Sequence, residues 1–146
     1  MLFSKSLFDS NERNTIVKAI GDAEALTSGE IRLHIEKKCK SADALIRAQE
    51  VFYELGMDKT AAANGVLIYL AYEDKKFAII GDKGIDTVVP DNFWDSIKEM
   101  MAGHFGKGEF IQGVLYAIVE TGHQLKQYFP LQEDDKNELT NEISEG

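Results

Sequence analysis

Apolar residues recur at helical spacing over residues 10–26, where Ile16, Val17, Ile20 and Ala23 fall on one stripe. Asp9 followed by Glu12 predicts a capping box at its start, and Thr27-Ser28-Gly29 supplies its end. The period then changes to two. Over residues 30–36, Ile31, Leu33 and Ile35 alternate with Arg32, His34 and Glu36, which predicts a strand near a sheet edge with one apolar and one partly wet face. A second helix is expected over residues 41–55, with Ser41 as N-cap and Leu45, Ala48, Phe52 and Leu55 buried. Residues 65–72 form an unbroken apolar run, as in a strand covered on both faces. The polar turn at residues 73–76 makes residues 77–80 the returning strand of a hairpin.

A loop over residues 81–90 leads to a helix over 92–102 capped by Asp91, with Phe93 and Trp94 in the core. The glycines of residues 103–108 predict a flexible connection. The last helix is expected over residues 109–128, burying Phe110, Val114, Ala117, Ile118, Thr121 and Leu125, with Pro130 as its stop. The order α-β-α-β-β-α-α predicts an α/β fold, a small mixed sheet with helices on both faces. Its β-α-β portion should be a right-handed crossover joining parallel strands, and the hairpin adds an antiparallel one. Residues 1–130 are expected to form this single domain, and 131–146 an acidic, solvated or frayed tail.

With 146 residues, 44% apolar and 28% charged, the composition is that of one globular domain. The formal charge of −9 repels a phosphate backbone and attracts cations, so nucleic acid is not an expected partner. A lone Cys39 excludes an intrachain disulfide and a thiolate zinc cluster. No apolar run reaches the roughly 20 residues a bilayer requires, and the N-terminus turns polar too early for a secretory segment. The expected location is the cytoplasm.

The chain carries no phosphate loop, dinucleotide fingerprint, nucleophile elbow, zinc-protease helix or EF-hand spacing. His34, His104 and His123 sit in three separate elements at no metal-ligand spacing. Topology does bring acidic residues together. Glu30 and Asn64-Gly65 each begin a parallel strand, and the antiparallel return brings Asp82 and Asp86 to that same end, with Asp58 in the loop before Asn64. Carboxylate, amide and carbonyl oxygens suit calcium, with its roughly six to eight oxygen ligands, or less readily magnesium. A cation there would pin the loop over 56–64 to the loop over 81–90. In a chain with 25 acidic residues the same cluster also fits a plain solvated edge.

Thr27-Ser-Gly-Glu-Ile31, Asn64-Gly-Val-Leu-Ile68, Gly81-Asp-Lys-Gly-Ile-Asp86 with Pro90-Asp91, and Gly113 resemble the TPM domain family over residues 8–129. That family includes thylakoid-lumen and photosystem-repair proteins, and the chain resembles a stand-alone bacterial member. The resemblance implies an α/β/α sandwich and divalent-metal sites where loops cross at the sheet edge. By it, Asn64-Gly65, Glu30 and Asp86 match the family's acidic and amide positions, and Asp82 matches a subgroup with a Gly-acid-Lys-Gly turn. Asp58 joins them through loop proximity alone. The expected function is a non-catalytic calcium-binding module, with one or two divalent ions ordering the crossing loops and regulating contact with a protein partner. The alternative is a metal-dependent acid phosphatase acting on phosphomonoesters at the same edge.

Overall fold

The computed structural model describes residues 7–132 and 138–146. Its elements are α1 (Ser10–Glu24), β1 (Glu30–Glu36), α2 (Ala44–Glu54), a 3-10 turn (Met57–Lys59), β2 (Gly65–Ala71), β3 (Lys76–Gly81), α3 (Lys83–Asp86), α4 (Asp95–Gly106), α5 (Phe110–Leu125) and β4 (Ser144–Glu145). The sheet runs β3-β2-β1-β4, with β1 parallel to β2 and to β4 and β3 antiparallel to β2.

Period-two alternation sorts the strand residues between two cores. Ile31, Leu33, Ile35, Val66, Ile68, Leu70 and Ile79 pack with α1, α4 and α5. Leu67, Tyr69, Ala71 and Ala78 turn the other way, against Ala48, Val51 and Phe52 of α2. Every residue of β2 is buried, as its unbroken apolar run predicts. The architecture is therefore a three-layer α/β/α sandwich around a small mixed sheet. The capping box of α1 forms as expected, Asp9 accepting from the Glu12 N–H and Glu12 from the Asp9 N–H.

The structure corrects several boundaries. Asp43 caps α2, its carboxylate accepting the Ile46 N–H at 3.0 Å, while the Ser41 hydroxyl donates to Glu50. Leu45 therefore faces outward and is 51% exposed, and Arg47 takes a buried place on the helix. The first turn of the loop over 81–90 coils into α3, capped by Asp82. Asp91 does not cap α4, which starts three residues later, behind Trp94. Gly103 and Gly106 lie inside α4, and a tight turn at Gly108, with φ of 77°, replaces the flexible connection. α5 ends at Leu125, where a turn begins.

The C-terminal tail was expected to fray. Part of it, residues 133–137, lies outside the described residues. The rest docks. Ile143 packs on the larger core, β4 pairs with β1 opposite His34 and Ile35, and the Gly146 N–H donates to the Ile35 carbonyl at 2.9 Å. An ion pair from Arg13 on α1 to Glu145 fixes this end.

Candidate functional site

The parallel register sets Glu30 opposite Gly65, and Val66 lies opposite Gly81 on the other side, so three chain segments meet at one end of the sheet. Backbone bonds knit them. Glu30 N–H donates to the Asn64 carbonyl at 3.2 Å, Asp82 N–H to Gly65 at 2.9 Å, and Gly84 N–H to Ala63 at 2.8 Å. Gly84 is where the two loops touch. A methyl group on it would overlap the Ala62 carbonyl oxygen and lie 2.5 Å from that of Ala63. Two carbonyl oxygens thus press on the residue between Asp82 and Asp86.

The five expected ligands divide between places. Asp82 and Asp86, one helical turn apart, both line a cleft of about 470 Å³ together with Lys83, Trp94 and Lys98. Asp82 spends one carboxylate oxygen on the Lys83 N–H at 2.7 Å. Its other oxygen is shielded from solvent and accepts no hydrogen bond among the described residues. Burial, and then the charge of Asp82, raise the Asp86 pKa. Glu30 is instead 3% exposed beneath the returning tail, where it accepts the Leu139 N–H at 2.8 Å. The Asn64 amide donates to the Ser28 carbonyl at 3.1 Å, which locks the strand entry. Asp58 is exposed on the 3-10 turn. Among the described residues no three or more His, Cys, Asp or Glu side chains converge as a ligand set, so a cation here would draw on carbonyl oxygens and water.

Two groups at this end escaped the sequence pattern. Glu24, on the last turn of α1, accepts the outward Ile31 N–H of β1 at 2.8 Å. Glu138 of the tail accepts the Ala61 N–H at 3.2 Å. Burial raises the Glu24 pKa to about 7, opposed by the Ile31 hydrogen bond and assisted by the charge of Glu30. The folded protein therefore holds a proton that the unfolded chain releases near pH 4.5, so stability falls as pH rises through 4.5 to 7. With Gln at position 24, denaturant titrations across that window should lose about 1–2 kcal/mol of this slope, after allowance for partial exposure. An unchanged slope would assign the titration elsewhere.

The far end of β1 holds a second polar cluster, on the face expected to be partly wet. Glu36 is 2% exposed and accepts from Arg47 at 3.0 and 3.1 Å and from the Tyr69 hydroxyl at 2.5 Å. His34 Nε2 lies 3.1 Å from the same carboxylate, while His34 Nδ1 meets the Ser144 hydroxyl at 2.8 Å. Burial pushes the Glu36 pKa up, but hydrogen bonds from Arg47, Tyr69 and His34 outweigh it and hold the value at about 2. Burial also lowers the His34 pKa, keeping the ring neutral near pH 7. Every member has a partner, so the cluster joins β1, α2, β2 and the tail. One signal for it was legible: Arg47 lies next to Ala48 on the apolar stripe of α2, where a buried cation demands an anion.

A mixed sheet sandwiched by helices, with short crossing loops and a carboxylate pair lining a cleft at one end, defines a small three-layer α/β domain. The chain matches the TPM domain model over residues 3–124 and belongs to that family. It is similar to the BA42 protein of the psychrophilic bacterium Bizionia argentinensis, whose NMR structure superposes with a TM-score of 0.91 at 47% identity over 100% of both chains. The N-terminal domain of the cg2496 protein from Corynebacterium glutamicum shares the fold, with a TM-score of 0.63 at 15% identity over 88% of this chain and 83% of that one. No curated protein matches the chain. Among the described residues no helix is long and apolar enough to cross a membrane.

Proposed function

We propose that the protein is a calcium-binding TPM module in which Asp82, Asp86 and the carbonyl oxygens of Ala62 and Ala63 form the main oxygen set. The observation that carries this reading is the packing at Gly84, which brings two backbone carbonyls against the residue between two carboxylates. Oxygen-only donors suit calcium, or magnesium with more water retained. Glu30 and Asn64 hold the neighbouring strand entries, and Asp58 adds negative charge at the rim. A bound cation would neutralise the Asp82–Asp86 pair and tie the loop before β2 to α3. It would thereby present one ordered surface to a protein partner.

Calcium titration of chelator-stripped protein, followed by amide NMR, tests this. Saturable shifts are expected at residues 60–65 and 81–87, and Asp86→Ala should weaken binding by roughly tenfold or more with the fold intact. Flat spectra at millimolar calcium would sink the reading. Chelator-sensitive hydrolysis of a phosphomonoester, lost in Asp86→Ala, would replace it with the phosphatase alternative.

A further inference from the structure

β3 is an edge strand, paired only with β2 among the described residues. The Asp82 N–H bonds to Gly65, and the register pairs Ile80 with Leu67 and Ala78 with Tyr69. Hydrogen-bonded pairs alternate along an antiparallel ladder, so the even-numbered residues bond inward and the backbone groups of Phe77, Ile79 and Gly81 face outward. The cleft touches Ile79, Ile80 and Gly81 in succession. Successive side chains point to opposite faces, so a cleft meeting all three lies along the strand's edge. One wall is α2, through Leu45, Gln49, Phe52 and Tyr53 on a single helical stripe. Leu45 and Tyr53 are 51% and 60% exposed, an unusual pair of apolar side chains to leave beside an open strand.

We propose that this edge is a self-association surface on which two copies pair their β3 strands antiparallel, about a twofold axis through Ile79. The strand is its own complement. Centred on Ile79, the pairing sets residue 77 opposite 81 and 79 opposite 79, so every outward backbone group meets another outward group. It also sets Lys76 of each copy opposite Asp82 of the other, on the face that carries α2. Lys76 is exposed, its ammonium donating to the Ala42 carbonyl at 3.4 Å, and Asp82 is half-buried, with one carboxylate oxygen that is shielded from solvent and accepts no hydrogen bond among the described residues. α2 packs on both β3 and β2. Strand spacing then brings the two copies of α2 to roughly 10 Å, an ordinary helix-packing distance, and covers Leu45 and Tyr53. The charge of −9 per chain opposes association, so the dimer is weak and strengthens with salt.

The test is analytical ultracentrifugation from roughly 10 µM to 1 mM protein, in chelator so that the cation site plays no part, with amide hydrogen exchange at both extremes. A concentration-dependent dimer is expected, with protection gained at Phe77, Ile79 and Gly81 and unchanged at Ala78 and Ile80. Lys76→Glu and Asp82→Lys should each weaken it by about tenfold or more, and the double charge swap should restore it. A monomer throughout overturns the proposal, as does a dimer whose protection appears elsewhere. Protection of these three amides only on adding a foreign extended peptide would assign the edge to a different partner and overturn self-pairing.

Discussion

Glu36→Ala is expected to destabilise the protein by about 3–5 kcal/mol. The change removes one carboxylate and takes a buried partner from three groups. Arg47, in a position only 7% exposed, keeps only the exposed Glu54 carboxylate, 3.5 Å away, the Tyr69 hydroxyl loses its acceptor, and His34 loses the partner of Nε2. A buried cation that has lost its buried, two-point anion is the dominant part of that penalty. Urea unfolding would show a lower midpoint with little change in slope. Acid should reproduce the effect in the wild type. Because the folded pKa is depressed to about 2, the stabilisation is fully present above pH 4.5 and is lost as pH falls through 2. The Ala variant should lack that acid limb. A loss below about 1 kcal/mol would mean that the cluster is not closed in solution.

Gly84→Val should cost about 3 kcal/mol, at the upper end for overpacking, because the obstacles are backbone atoms rather than flexible side chains. The added carbon would overlap the carbonyl of Ala62 and crowd that of Ala63. The loop before β2 must then lift away, breaking the Gly84–Ala63 hydrogen bond and moving the two carbonyls away from α3. Thermal unfolding reports the stability loss, and the proposed calcium binding should fall with it. Asp86→Ala separates the two effects, since it removes a proposed ligand while leaving the loop contact in place. A Val variant as stable as wild type would mean that the loops do not touch at Gly84.

The layers and strand directions were legible because period-two and helical stripes are enforced by burial on opposite faces of one sheet. Ile31, Leu33 and Ile35 announced the face of β1 that packs on α1 and α5. The acidic end was legible in part: topology alone gathers Asp82, Asp86, Glu30 and Asn64 at one end of the strands. Their division was not, because Glu30 is covered by a tail that the sequence presents as charged and featureless. Ser144 and Glu145 form β4 by occupying an edge that β1 leaves open, a long-range contact that local pattern does not carry. Of the Glu36 cluster only the Arg47 signal was legible, for the same reason, its partners lying 11 and 33 residues away on other elements.

The packing of α1 against α5 has a consequence for biogenesis. These helices contribute Ile16, Ile20, Val114, Ala117 and Ile118 to the same core, yet some hundred residues of chain separate them. While the polypeptide is being made, α1, the β1–β3 unit and α2 emerge first, but the sheet face opposite α2 is covered only in part, by α1, until α4 and α5 have left the ribosome. The nascent chain therefore keeps part of the Ile31, Leu33, Val66 and Ile68 surface uncovered from the emergence of β2 until that of α5, a natural point for chaperone engagement.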